Sequence, residues 1–375
     1  MPIMRRRSVG ITDHNYGPDA IQSVAKQTAE TPYTELTKKD LAWEIVDGTN
    51  VETKTFYVIA DNGHIGLVQI IYSNVMGVRT TAQFSSKIFA KDGGKDHLWT
   101  SDNLSQFSFS KDKQNFKANG CSMDLSEDGK SYRIKSSTSK QAVVDMKFTQ
   151  TAPGFMAGKN GTSTFGTDPE HPWGKIYHKF WPRCDVEGSI VTKDGPVDFK
   201  GKGIFIHALQ GMKPHFAAAK WNFAYVQSPR YTAIMMEFTT PPSYGETKVN
   251  VGGVVTDSEI LFAGASPAIK AEHTEVKGDK ENDWPEPAAA AFTWDGKTKD
   301  GKDAHAEWSG NIKERTDRVD VMGELPKFVK QIVAGAAGTK PYIYQYTPKL
   351  PLKIKIDGEE TQEEAQLFME ATFIS

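Results

Sequence analysis

Apolar side chains recur at alternate positions through most of this chain, in short runs separated by turn residues. Residues 55–59 (TFYVI) and 64–72 flank the turn Asp61-Asn62-Gly63, and residues 79–89 put Ala82, Phe84 and Ile88 on one face. Residues 115–119, 122–125, 132–137 and 142–149 continue the pattern, with a turn at Asp128-Gly129. It resumes at 184–190, 197–207, 221–226, 231–239, 248–256, 260–263, 290–294, 304–309, 315–322, 350–356 and 366–374. A period of two sends successive side chains to opposite faces of a strand. Closely spaced short strands of this kind predict an all-β chain of antiparallel sandwiches or barrels with few short helices. Helical spacing is confined to residues 18–30 and to residues 326–333, where Phe328, Val329, Ile332 and Val333 follow Pro326. One helix packed outside a barrel of about eight strands is the calycin arrangement, whose interior holds one small ligand.

At 375 residues the chain exceeds one ordinary core, so two barrels in tandem are expected. Residues 151–175, rich in Gly, Pro, Thr and Ser, mark the boundary. The expected organisation is an N-terminal extension with a short helix over 1–42, a lipocalin-like domain over 43–160 and a second over 161–375. Residues 272–286 (EHTEVKGDKENDWPE) read as a charged surface loop.

Lys and Arg total 45 against 47 Asp and Glu, a formal charge of -2 with both signs interspersed. That balance lacks the basic face of a nucleic-acid binder, so no nucleic-acid partner is expected. Arg5-Arg6-Arg7 reads as a solvated tail. No apolar run is long enough to span a bilayer, and the basic start lacks the apolar stretch of a secretory signal. The expectation is a cytoplasmic protein without stable membrane insertion, with Cys121 and Cys184 as reduced, buried thiols. The nine histidines show no i, i+4 pair, and there is no Walker loop, nucleophile elbow or dinucleotide-binding glycine pattern. Neither a metal nor a cofactor is expected. Gly201 and Gly203 read as positions of close packing or a bulge.

Function must then be argued from a cavity. Residues 201–242 gather Phe205, His207, Gln210, Met212, His215, Phe216, Lys220, Trp221, Phe223, Tyr225, Met235, Met236 and Phe238. Aromatic and Met side chains with a few placed polar groups are the usual lining of a small-molecule pocket. His207, at a strand end, and His215, in the following linker, are candidates to share one pocket, and each also reads as a structural histidine. Arg183, within Phe180-Trp181-Pro182-Arg183-Cys184, either donates a fork of hydrogen bonds to a ligand carbonyl or closes a barrel end. Tyr342, Tyr344 and Tyr346 alternate and so share a face.

Longer motifs carry a resemblance. Residues 49–53 (TNVET), 126–132 (SEDGKSY), 180–188 (FWPRCDVEG), 204–223, 235–245, 328–346 and 370–375 resemble the fungal survival factor family. The resemblance covers roughly residues 16–375. It implies two lipocalin-like barrels and a hydrophobic ligand; the family's namesakes support survival of oxidative stress and carry sphingolipid precursors through the cytosol. Such members begin with an amphipathic helix that holds them on Golgi or ER membranes, whereas MPIMRRRSVGITDHN lacks the apolar face of one. Phe216 and Lys220 also stand where His and Arg are expected. These departures point to a biosynthetic-cluster paralog similar to the hetero-Diels–Alderases of tropolone–sesquiterpene assembly. The chain would then be a cofactor-independent pericyclase joining a quinone methide to a sesquiterpene such as a humulene. In that reading Arg183, Gln210 and Lys220 polarise the dienone carbonyl, and His207 or His215 assists loss of water. Tyr177, Trp181, Phe216, Trp221, Tyr225, Met235 and Tyr344 bind the substrates. Near-attack positioning of two apolar partners contributes up to about 7–11 kcal/mol. The alternative is a ceramide or sphingoid-base carrier without catalysis.

Overall fold

The computed structural model describes residues 15–91, 94–312, 314–324 and 341–375. Among the described residues, regular structure is overwhelmingly antiparallel strand, gathered in two sheets of 16 and 11 strands. The expected all-β pair of lipocalin-like units is what forms: each sheet curls into a half-barrel around its own packed core.

Both half-barrels follow one plan. In the N-terminal sheet Asn50–Ala60 leads a meander through Ile65–Val75, Arg79–Ile88 and Leu98–Leu104, and its other edge pairs with the last long strand, Gly201–Gln210. In the C-terminal sheet Lys220–Gln227 leads through Thr232–Thr239, Lys248–Val255 and Ile260–Ala265, and its other edge pairs with the last strand, Glu359–Phe373. Past the closing strand each sheet continues through hairpins. These begin with Gly174–Thr192 and Val143–Gln150 in one, and Lys349–Ile356 and Asp303–Asn311 in the other.

Several local expectations need correction. The sheets change over across residues 211–219, which hold the single helical turn Pro214–Ala217, and not across 151–175. The Gly-rich composition of 151–175 serves turns inside the N-terminal sheet, with Gly158 and Gly161 at φ 65 and 69. Phe155–Ala157 and Thr162–Phe165 pair there with Gly174–Thr192. Residues 18–30 are not one helix. A 3-10 turn, Pro18–Ala20, gives way to Ile21–Gln22, which pairs with Thr164 and Phe165 before the helical turn Ala25–Thr28. The pairing buries Ile21 and satisfies its backbone, which outweighs a weak local propensity. Residues 272–286 are mostly strand: Ile269–Gly278 and Pro285–Lys297 form a hairpin, and the charges lie on an edge strand, where they discourage unwanted pairing. The helix expected over 326–333 and the basic run Arg5–Arg7 lie outside the described residues.

Gly203 packs as the sequence suggested. A Cβ there would stand 2.6 Å from the Tyr57 carbonyl and 2.7 Å from Val186. Opposite it, the register of Gly174–Thr192 shifts between Trp181 and Cys184. Pro182, which has no N–H to donate, sits in that irregularity.

Strand parity sorts the cores. Phe56, Tyr132, Phe148, Trp181 and Phe205 fill the N-terminal lumen, and Phe292, Trp294, Trp308, Tyr344 and Tyr346 fill the C-terminal one. The opposite faces of the leading and closing strands meet in a third core between the sheets. There Tyr57 lies with its ring 4.9 Å from Phe223 and 5.2 Å from Phe368. Each such aromatic pair contributes about 0.5–1.5 kcal/mol beyond burial. Among the described residues the lumens are packed cores, and the join between sheets is where relief remains.

Candidate functional site

At one end of the join a cleft of about 230 Å³ opens between the sheets. The N-terminal sheet contributes Val51, Thr53, His178, Ala208 and Gln210. The C-terminal sheet contributes Trp221, Phe223, Met236, Glu370 and Thr372. Register explains the assembly. Val51 pairs with Gln210 and Thr53 with Ala208, while Trp221 pairs with Thr372 and Phe223 with Glu370. The cleft is therefore walled by the leading and closing strands of both half-barrels. A larger groove of about 390 Å³ lies at the opposite end of the same strands. Its charged lining of Asp61, Lys202, Lys349 and Glu364 suits an apolar ligand less well.

Two titratable groups face the cleft. Burial pushes the His178 imidazole down to about 3, so the ring is neutral at ordinary pH. It lies 5.8 Å from the Trp221 ring, edge to face. Burial raises the Glu370 carboxyl, against the pull of Gln345, Lys87 and Tyr57. Gln345 Nε2 donates to Glu370 Oε1 at 2.6 Å, and Tyr57 donates to Oε2 at 3.4 Å. Lys87 donates to Gln345 Oε1 at 2.7 Å and pairs with Asp317, so this wall is tied to a bridge between the sheets.

The site residues expected from sequence are dispersed. Gln210 and Trp221 line the cleft. His207, Tyr177 and Trp181 point the other way, into the N-terminal lumen. His207 is fully buried; its Nε2 donates to Glu52 Oε1 at 2.7 Å, and burial holds the ring down to about 4. Glu52 stays below the usual carboxylate range despite burial, because His207 and the amides of Ile45 and Glu44 donate to it. His215 lies on the linker turn with its ring 4.2 Å from Phe216, so the two histidines do not share a pocket. Lys220 is exposed at a strand start. Met235 and Tyr344 lie in the C-terminal lumen. Tyr225 is buried between the sheets, its hydroxyl 3.2 Å from the Lys202 carbonyl.

Arg183 is a clamp at the far end of the join. Its Nε donates to Asp257 at 2.8 Å, Nη1 to Thr232 at 2.9 Å and Nη2 to the Pro229 carbonyl at 2.7 Å. Arg183 and Lys202 outweigh burial and hold the Asp257 carboxyl at about 2. Both cysteines are free and buried, and burial raises each thiol.

Sequence reasoning missed His178, Thr53, Glu370 and Thr372. Parity would have found His178, which is out of phase with Tyr177 and Trp181 on one strand. Thr53 and the 370–375 motif were noticed as signatures, but no local signal says that the first and last strands of each unit meet. No cluster of three or more His, Cys, Asp or Glu able to hold a metal occurs among the described residues, and no helix there is long and apolar enough to cross a membrane.

Two half-barrels in tandem, with an amphipathic cleft at their join, define a double-calycin fold. The chain belongs to the Svf1 family, whose model matches residues 4–375. It is 57% identical to ceramide-binding protein svf-1 of Neurospora crassa, over 98% of this chain and 96% of that one. It is 54% identical to ceramide-binding protein svf1 of Aspergillus fumigatus, over 98% and 97%. Among solved structures, CghA with Sch210972 superposes with TM-score 0.58 at 11% identity, covering 95% of this chain and 98% of that chain. Kievitone hydratase from Nectria haematococca gives 0.55 at 12%, covering 96% and 98%. At that identity the two structures establish a shared fold and nothing finer.

Proposed function

We propose that this chain binds a ceramide-class lipid, carries it through the cytosol without chemistry, and holds the lipid's polar end in the inter-sheet cleft. The carrying observation is the make-up of the cleft. Val51, Ala208, Trp221, Phe223 and Met236 offer apolar surface beside His178, Gln210, Thr53, Thr372 and Glu370. Ceramide sets an amide and hydroxyls next to long alkyl chains. A neutral imidazole both donates and accepts, as does a carboxamide, so His178 and Gln210 match such a head group. Each methylene buried against the apolar wall is worth about 0.8 kcal/mol. The names of the relatives in N. crassa and A. fumigatus support the same ligand class. At about 230 Å³ the cleft is smaller than the ~300–1,000 Å³ of pockets that enclose a drug-sized ligand. It takes the head group and the first methylenes, and full chains require the sheets to part.

The hetero-Diels–Alder reading is the weaker proposal. It asks His207, Gln210, His215, Arg183 and Lys220 to surround one pair of substrates, and only Gln210 borders the cleft. The test is ceramide loading of the purified protein, read by native mass spectrometry. Trp221→Ala is expected to lower occupancy about tenfold, and Met236→Trp, which fills the cleft, to lower it similarly. Wild-type occupancy in both variants would overturn the assignment.

A further inference from the structure

Seven large apolar side chains are exposed among the described residues: Tyr16, Met76, Val78, Val143, Trp173, Val191 and Val276. Val143 and Val191 pair with each other across two strands, as ordinary exposed sheet positions do. Tyr16, Met76, Val78 and Trp173 instead collect at one end of the molecule. Ser73, Val51, Gln210 and Ile176 form one row across four neighbouring strands. Met76 lies three residues beyond Ser73 in the chain, and Trp173 three residues before Ile176 on an antiparallel neighbour. Both therefore project about 10 Å past the row in the same direction. Val51 and Gln210 line the cleft, so this is the end at which the cleft opens.

The hairpin tip also breaks a local rule. Val78 N donates to the Val75 carbonyl at 3.0 Å, closing a two-residue turn over Met76 and Gly77. Both central residues have positive φ, 53 and 71. This geometry favours Asn-Gly, and a left-handed residue other than Gly costs roughly 1–2 kcal/mol. Met76 occupies the strained position while 71% exposed, and Val78 beside it is 89% exposed. Neither contributes to a core cluster. At the other side Trp173 is 46% exposed, its Nε1 donates to Tyr244 at 3.0 Å, and Tyr16 lies against it with ring centroids 5.1 Å apart. An indole with one apolar face and one bonded N–H is the side chain favoured at lipid–water interfaces.

We propose that this end is a lipid-surface docking face: Met76 and Val78 enter the acyl boundary, and Trp173 with Tyr16 seats at head-group depth. Lys220 is exposed beside the cleft wall at the same end, and Arg79 follows Val78 at the tip. The partner that fits is a bilayer surface met through these apolar side chains, since Asp47 and Asp168 are exposed at the same end and offset Arg79 and Lys220. Docking in this pose turns the cleft mouth toward the membrane, so a lipid passes between bilayer and cleft without crossing water. That consequence rests on the lipid-carrier reading; the docking face does not.

The test is flotation of the full chain with vesicles of phosphatidylcholine containing phosphatidylserine. Met76→Asn with Val78→Thr suits the turn, so thermal stability is expected to hold or rise, while vesicle affinity falls about tenfold or more. Trp173→Ala is expected to weaken binding independently. Unchanged affinity in both variants overturns the proposal. So does failure of the wild type to float, the outcome expected if this end instead meets a protein. Trp221→Ala separates the two readings. If it floats as wild type and, like Met236→Trp, also retains full ceramide loading, the cleft assignment fails and the docking face stands.

Discussion

The two half-barrels share a strand plan and differ in what their lumens contain. In the N-terminal lumen Glu52, Lys54 and His207 are all fully buried. They hold the segment 40–45 across the barrel mouth. Lys54 Nζ donates to the Leu41 carbonyl at 2.5 Å, Glu52 accepts from the amides of Glu44 and Ile45 at 2.8 and 3.0 Å, and Trp43 lies over Lys54. Burial lowers Lys54 to about 7. In the C-terminal lumen aromatic and aliphatic side chains fill the space, and polar contacts stay at the rim. Tyr344 donates to Asp279 at 2.9 Å and lies 3.0 Å from Asn282, while Arg318 pairs with Asp279 at 2.8 Å. One mouth is bolted from inside by charge, the other from its rim. Among the described residues both lumens are filled with side chains, so two differently built interiors leave relief at the same place, their join.

The comparison breaks or sharpens on measured stabilities. The largest effect is expected from Glu52→Ala. Removing one partner of a fully buried pair leaves the amides of Glu44 and Ile45 without their acceptor, a cost of roughly 3–5 kcal/mol in urea unfolding. The C-terminal counterpart, Tyr344→Phe, costs only about 1–3 kcal/mol, since it strips hydrogen bonds from groups near the rim. Equal costs would erase the distinction between the two mouths. Next is Arg183→Met, which removes the clamp at the far end of the join. It is expected to cost about 2–3 kcal/mol and to widen the unfolding transition as the half-barrels lose their coupling. A single sharp transition at the wild-type midpoint would mean that the apolar join alone couples them.

A separate test of the join is a pH slope. His178 titrates at about 3 in the fold against an ordinary value of 6.5, so the unfolded chain binds one more proton between those limits. Its contribution to stability is complete above pH 6.5 and is lost as pH falls toward 3. His207 and His273, each near 4, add slopes of the same sign. His178→Asn should flatten the fall in stability between pH 6.5 and 4 relative to wild type, as read by chemical denaturation. An unchanged slope would place His178 in water rather than against Trp221.

Much of the fold was legible in sequence because period two and turn chemistry are local. Residues 55–59 and 64–72 form a hairpin about Asp61-Asn62-Gly63, and both halves are strand-built. The changeover between sheets was not legible. Its signal, the short run 211–219, is weaker in Gly and Pro than 151–175, whose composition serves internal turns. The candidate site was legible only in part. Trp221 and Gln210 line the cleft, while His207 and Trp181, close to them in sequence or in strand pairing, face the opposite side. A reading by residue type pooled both faces of the same strands. The closing strand that supplies Glu370 and Thr372 lies more than a hundred residues from Trp221, so only the tertiary pairing reveals it.

A ceramide bearing a photoactivatable group on the acyl carbons next to its amide, crosslinked to the loaded protein and mapped by peptide mass spectrometry, tests most directly whether the ligand lies at the join. Adducts are expected on Val51, Thr53, Ala208, Gln210, Trp221, Phe223 and Met236. Adducts concentrated instead on lumen residues such as Phe56, Trp181, Phe292 or Trp308 would contradict the account, because they would place the lipid inside a half-barrel that the structure fills with side chains.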